Sequence, residues 1–154
     1  MKVKSILFKM FCLLSFFTLV GCSAKTAITS SDFIKCCEDK NLHVEDISGS
    51  FIDNSDVNEV VVATSEEGWT VEFYIFSDES VSKQAFEANK KKFEDSKSGV
   101  FSEKSVSIKN YSTYRIKSNG DYMYICRVDN TLVYVCVDDV YENSVINLLS
   151  ELGY

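Results

Sequence analysis

The 154-residue chain contains no proline and one histidine, and each scarcity excludes classes of function. Without proline the chain forms neither polyproline ligands nor rigid proline-rich spacers. A Ser-His-Asp or Cys-His catalytic arrangement would depend on His43 alone, and nothing in the sequence places a nucleophile beside it. The chain also lacks an HExxH motif, a CxxC pair and a glycine-rich phosphate loop. We therefore expect His43 on the surface and find no motif of a catalytic site.

Basic residues are also scarce, since 16 Lys and Arg stand against 23 Asp and Glu. This balance argues against nucleic-acid binding, which needs clustered basic side chains. The acidic segment Asp53-Asn54-Ser55-Asp56 is only vaguely similar to a calcium loop, because it lacks the glycine at the sixth position and the terminal glutamate. We expect no metal site. Apolar residues make up 45% of the chain, which is ample for one hydrophobic core.

The first 22 residues have the parts of a secretory signal. Three lysines within residues 1–9 give a positive start, and residues 10–20 form an almost wholly apolar run. A membrane-spanning helix needs about 20 apolar residues, whereas only twelve residues separate Lys9 from Cys22. The run ends in Leu19-Val20-Gly21-Cys22, which resembles the lipobox of bacterial lipoproteins: Leu, a small or aliphatic residue, Gly or Ala, then Cys. The resemblance implies cleavage after Gly21 and covalent lipid on Cys22, with no other cofactor expected.

This signal divides the chain into three parts. Residues 1–21 are the signal peptide, residues 22–31 are the lipidated cysteine with a short polar tether, and residues 32–154 are one extracytoplasmic domain. Removal of residues 1–21 leaves 13 basic against 23 acidic residues, a formal charge of −10. The tether spans about 30 Å at full extension. We expect the domain close to the extracytoplasmic face of the cell membrane, although its overall charge disfavours contact with an anionic leaflet.

The domain is predicted to be α+β, with the order α-β-β-α-β-β-β-β-α. A hairpin and a meander form a mainly antiparallel sheet, which two or three helices cover. The first helix is capped by Ser31 or Asp32 and runs to about Lys40. The second opens at residues 77–79 and ends with the lysines at 90–92. The third covers residues 141–152, and residues 42–51 show no clear pattern.

The strands are placed by their turns. A four-residue loop over residues 65–68 pairs Thr64 with Trp69 in the hairpin. That register predicts one core face, which holds Val60, Val62, Trp69, Val71, Phe73 and Ile75. In the meander, Asn119-Gly120 is a strong two-residue hairpin turn, and Asp129-Asn130 is a second tight turn.

Four cysteines remain in the domain, and an exported protein permits disulfides. The meander register sets Cys126 opposite Val133 and Cys136 opposite Met123, so these two thiols point to opposite faces and cannot bond. Adjacent Cys36 and Cys37 bond only through a strained ring, so any disulfide is expected to join Cys36 or Cys37 to Cys126 or Cys136. The alternative is four free thiols that pack as small apolar residues.

One cationic and aromatic patch is predicted in the meander. The Asn119-Gly120 turn sets Lys117 opposite Tyr122 and Arg115 opposite Tyr124, as in many recognition surfaces. The alternative is that the basic side chains merely cover tyrosine rings at the rim of a packed sheet.

The sequence thus favours a lipid-anchored envelope protein that binds a ligand or another envelope protein. The alternatives are a small extracytoplasmic enzyme, and an inhibitory or structural partner of an envelope protein. The lipid would join it to the membrane, and no acid/base constellation supports the enzyme.

Overall fold

The structure is a computed structural model that describes residues 24–154. The predicted signal peptide, the lipobox and Cys22 lie outside the described residues. Within residues 24–154, no helix is both long and apolar enough to cross a bilayer. The elements in chain order are α1 (Ser30–Glu38), β1 (His43–Asp46), a 3-10 helix (Ser48–Phe51), β2 (Val57–Thr64), β3 (Thr70–Phe76), α2 (Glu79–Asp95), β4 (Phe101–Ile108), β5 (Tyr111–Ser118), β6 (Asp121–Val128), β7 (Thr131–Asp138), a second 3-10 helix (Asp139–Tyr141) and α3 (Glu142–Glu151).

The seven strands form one antiparallel sheet in the order β1-β2-β3-β7-β6-β5-β4. The predicted element order is wrong, because it omits β1, which lies between the first helix and the hairpin. Strand β1 has four residues and is largely exposed, so it carries almost no apolar alternation. Pairing with β2 holds it in place, from His43 opposite Thr64 to Asp46 opposite Val61. The pairing of β3 with β7 joins the hairpin to the meander. A seven-stranded antiparallel sheet with three α-helices is consistent with the α+β class.

The predicted hairpin register is also wrong, by one residue. Thr64 pairs with Thr70 and Val61 pairs with Phe73. The Ser65 hydroxyl accepts a hydrogen bond of 3.2 Å from the Trp69 amide and thereby holds a five-residue loop. A one-residue slip turns every side chain of a strand to the other face. Val61 and Ala63 therefore enter the core that was predicted for Val60 and Val62.

Helices cover both faces of the sheet and give the domain two hydrophobic clusters. On one face α1 and α3 pack over the sheet, where the rings of Phe33 and Phe73 stack with centroids 5.0 Å apart. On the other face α2 buries Phe86 and Phe93 against the meander. The buried residues of the cluster beneath α1 and α3 come from no strand beyond β6, and from β5 only half-buried Tyr111 packs against it, so β4 and β5 are less covered on this face.

The first helix begins earlier than predicted. Its N-cap is Thr29 rather than Ser31 or Asp32, and the carboxylate of Asp32 accepts hydrogen bonds from both the amide and the hydroxyl of Thr29. This capping box satisfies backbone donors that a helix start leaves free. Ala27 and Ile28 also pack against the core beneath α1 and α3. Residues assigned to the tether from the sequence thus contact the domain.

The meander register is confirmed. Lys117 lies opposite Tyr122, Arg115 lies opposite Tyr124, and Cys126 lies opposite Val133. The Asn119-Gly120 turn has φ values of 53° and 87°, as a two-residue turn with both central residues in the left-handed region requires.

Candidate functional site

The predicted interaction patch is assembled, but its aromatic half is buried. Arg115 is exposed and Lys117 is half-exposed. Tyr122 and Tyr124 are only 2% and 9% exposed, because both belong to the cluster beneath α1 and α3. Burial raises the pKa of both phenols, which therefore stay neutral. The structure brings the four residues together and presents mainly the two cations to solvent.

The residues of the patch border two neighbouring depressions. Lys117 and Tyr122 border a small one of about 130 Å³. There the Lys117 ammonium lies 3.1 Å from the Asp139 carboxylate and 3.2 Å from the Glu142 carboxylate. Arg115 borders this depression too and, together with Tyr124, a second one of about 240 Å³. Lys117 is thus neutralised by its neighbours, whereas no salt bridge to Arg115 is found within residues 24–154.

The other candidate residues do not converge. His43 is exposed on β1, at the edge of the sheet, and Asp53 and Asp56 are exposed in the loop before β2. Across the part of the chain that the structure describes, no three His, Cys, Asp or Glu side chains are grouped so that they could hold a metal ion.

The four cysteines of the domain are free thiols. Cys37 and Cys126 are buried in the same hydrophobic cluster, and Cys36 packs at its edge. Cys136 is exposed on the opposite face of the sheet, opposite Met123. Of the pairings left open by the sequence, those that use Cys136 would have to cross the sheet.

A groove of about 610 Å³ opens on the face that α2 covers. It lies between α2, the strands β3 and β7, and the loop that contains the first 3-10 helix. We call it the aromatic groove, and its lining residues are Phe51, Asn54, Glu72, Tyr74, Phe76, Ala85, Asn89, Lys92, Leu132 and Tyr134.

Aromatic rings form much of the wall of the aromatic groove. The rings of Tyr74 and Phe76 are parallel to within 8°, with centroids 5.9 Å apart. Tyr134 is held at its other side by Phe93, with centroids 5.3 Å apart. Residues Tyr134 and Glu72 are paired across β7 and β3. Sheet pairing and stacking thus fix these rings in position before any ligand arrives.

Some polar groups of the aromatic groove already form hydrogen bonds within the protein. The Tyr74 hydroxyl donates a hydrogen bond to the Glu72 carboxylate, and burial together with this bond raises the pKa of Tyr74. Burial raises the pKa of Tyr134 to about 12. Both phenols are therefore neutral at physiological pH. The Asn89 amide nitrogen donates a hydrogen bond of 2.9 Å to the Ala85 carbonyl.

The groove was not predicted from the sequence. Its lining comes from four separate segments, and only their packing brings these together. One signal was present: β3 places Tyr74 and Phe76 on the hairpin face opposite the predicted core face. Aromatic side chains on a face without a predicted core partner indicate either a second layer or a binding surface. In this structure α2 forms the second layer over this face of the sheet and leaves part of the aromatic surface uncovered.

No family model and no curated protein matches the chain. Among solved structures, the chain is similar to a crystal structure of a GTP binding regulator from Thermotoga maritima. The two are 21% identical, with a TM-score of 0.46, over 79% of this chain and 84% of that chain.

Proposed function

We propose that the protein is a lipid-anchored, extracytoplasmic binding protein of the cell envelope that holds its ligand in the aromatic groove. The anchor is supported by the lipobox resemblance at Cys22. The binding role is carried by one observation, the groove itself. Its volume of about 610 Å³ falls within the roughly 300–1,000 Å³ that is usual for small-ligand sites.

The lining of the groove indicates the chemistry of its ligand. Tyr74, Phe76 and Tyr134 provide apolar ring faces, which suit a ligand with a flat apolar surface. Lys92 adds a cation that forms no salt bridge within residues 24–154, and the Asn54 and Asn89 amides add uncharged polar groups. We expect a small molecule, or a residue of an envelope polymer, with one flat apolar face and polar or anionic edges.

The anchor is tested first, on the full-length protein expressed in a bacterial host. Wild-type protein should label with palmitate and partition into the detergent phase. Cys22→Ala should remain an unprocessed precursor or be released without the label. Wild-type protein in the aqueous phase, cleaved at another position, would refute the anchor and leave the groove untouched.

The groove is tested with the lipidated protein in nanodiscs by saturation-transfer NMR. The probes are N-acetylglucosamine, muramyl dipeptide, tryptophan and tyrosine, each of which has a ring with an apolar face and carries polar groups. At least one should give saturation transfer that Tyr74→Ala abolishes. Tyr111→Ala is the matched control, because Tyr111 is a half-buried tyrosine that does not line the aromatic groove.

Two results would count against the groove. One is that none of the four probes binds. The other is that binding persists unchanged in Tyr74→Ala while circular dichroism shows an intact fold. Equal loss in Tyr74→Ala and Tyr111→Ala would indicate general destabilisation and would equally remove the support for this site.

A further inference from the structure

A second depression lies on the opposite face of the sheet, where the two ends of the described chain meet β4 and β5. We call it the cationic cleft. Its volume is about 240 Å³, and Lys25, Lys104, Arg115, Tyr111 and Tyr154 are among its lining residues. Lys104 and Arg115 face each other across β4 and β5, so their side chains share this face.

Lys25 is fixed at the cleft by contacts with three segments. Its ammonium donates a hydrogen bond of 2.6 Å to the Gly153 carbonyl and lies 5.4 Å from the centre of the Tyr111 ring. Its carbonyl accepts a hydrogen bond of 2.7 Å from the Asn110 side chain. The first described residues are thereby held against the β4–β5 turn.

Cations without an acidic partner are concentrated at this cleft. Of the 13 Lys and Arg within residues 24–154, eight form salt bridges. The other five are Lys25, Lys92, Lys104, Lys109 and Arg115. Lys92 lines the aromatic groove on the far face. The other four lie in the cleft or in the β4–β5 turn beside it, and we call them the unpaired cations of the cleft.

The Asp129 carboxylate is connected to the cleft through Asn110. It accepts a hydrogen bond of 3.0 Å from the Asn110 side chain, the same amide that binds the Lys25 carbonyl. The cleft lining itself contains no Asp or Glu. Lys104 and Arg115 also border the neighbouring small depression, where Glu103 and Glu142 lie, so the positive surface is confined to the cleft lining.

The cationic cleft lies close in the chain to the proposed lipid anchor. Only Ser23 and Ala24 separate Lys25 from Cys22. Three residues of extended chain span at most about 11 Å, which is close to the Debye length of about 8 Å at physiological ionic strength. If Cys22 carries lipid, the unpaired cations of the cleft lie within electrostatic reach of the phosphate headgroups.

We propose that the unpaired cations of the cleft dock the domain on anionic phospholipid headgroups. The inference depends on the proposed lipid at Cys22. It sets an orientation: the cationic cleft faces the bilayer, and the aromatic groove, on the opposite face of the sheet, faces away from it.

The test uses the full-length lipidated protein in two kinds of vesicle, phosphatidylcholine alone and phosphatidylcholine with phosphatidylglycerol. Lysines are acetylated with an uncharged N-hydroxysuccinimide ester and their labelling rates are read by mass spectrometry. Lys25, Lys104 and Lys109 should label about fivefold more slowly on the anionic vesicles, the factor expected if each cation gains the usual attraction to an anionic surface. Lys92 should label equally on both, and high salt should remove the difference.

Lys104→Glu is the decisive variant and Lys92→Glu its matched control. Each reverses the charge of one exposed lysine that forms no salt bridge within the described chain. Lys104→Glu should restore fast labelling of Lys25 and Lys109 on anionic vesicles, whereas Lys92→Glu should not. The docking would be overturned if Lys25 and Lys109 label equally slowly on anionic vesicles in both variants. It would also be overturned if they label at equal rates on the two kinds of vesicle in the wild type.

Two further outcomes have separate signatures. Protection by inorganic phosphate on phosphatidylcholine vesicles would assign the cleft to a small anion and overturn the docking. Protein that does not sediment with either vesicle would show that the anchor itself fails, and the docking with it. Failure of the docking alone leaves the protein on the vesicles.

Discussion

The Arg127 guanidinium lies 3.3 Å from the Glu79 carboxylate and so joins β6 to the first turn of α2. It also donates a hydrogen bond of 3.0 Å to the Asp129 carbonyl. Arg127 is only 2% exposed, and its Nε has no partner within the described chain. Glu79 is about half exposed and also pairs with the Lys83 ammonium at 3.0 Å. The pair therefore contains one buried charge that its contacts satisfy incompletely.

We expect Arg127→Met to be tolerated and Arg127→Ala to be harmful. Methionine keeps most of the volume and removes the buried charge, so the free energy of unfolding should change by no more than about 1 kcal/mol. Alanine leaves a cavity beneath α2 and should cost about 3 kcal/mol. Urea denaturation followed by circular dichroism measures both. Equal losses in the two variants would mean that the ion pair, rather than the packing, stabilises this contact.

The thiols should differ in reactivity according to their burial. Burial raises the pKa of Cys37 to about 12 and that of Cys126 to about 11. Since the thiolate is the reactive form, pulse labelling with iodoacetamide should modify exposed Cys136 first and Cys36 next. Cys37 and Cys126 should react only after unfolding in urea. If Cys126 labels as fast as Cys136 in the folded protein, the cluster beneath α1 and α3 is not closed.

The Asp32 capping box should contribute to acid sensitivity. Hydrogen bonds from the Thr29 amide and then from its hydroxyl lower the pKa of Asp32. A carboxyl whose folded pKa lies below its unfolded value stabilises the fold above the unfolded pKa, about 3.9. That contribution is lost as the pH falls through the folded pKa. Asp32→Asn should be less stable than the wild type at pH 7, and the difference should shrink below about pH 4. A difference that does not change with pH would exclude the capping carboxylate as its cause.

The sequence predicts the meander well because a backbone rule governs its turns. Asn119 and Gly120 both adopt positive φ, as this two-residue turn requires. The turn sets the register between β5 and β6, including Arg115 opposite Tyr124. The hairpin fails because its loop is closed by a side chain. The Ser65 hydroxyl holds the Trp69 amide, adds one residue to the loop and reverses the faces of β2.

The sites are harder to predict than the strands. The register correctly sets Arg115 opposite Tyr124, but whether the tyrosine is exposed depends on α3, which is distant in the sequence. The lining of the aromatic groove comes from four separate segments, and the lining of the cationic cleft includes residues from both ends of the described chain. No local sequence pattern predicts the groove or the cleft, because both form only when the helices pack on the two faces of the sheet.

The last prediction separates the two halves of the meander patch. Tyr124→Ala should cost about 3–5 kcal/mol of unfolding free energy, the usual range for removal of a large buried ring. Arg115→Ala should change stability by less than about 0.5 kcal/mol, since its side chain is exposed and has no salt bridge within residues 24–154. Thermal and urea unfolding of the two single variants, with Tyr124→Phe as the control that keeps the ring, would measure this. A neutral Tyr124→Ala would mean that the ring is a surface feature after all, available to a partner as the sequence pattern suggested. A large loss, with Tyr124→Phe close to the wild type, would mean that Tyr124 belongs to the core and that, of these two residues, only Arg115 is available for recognition.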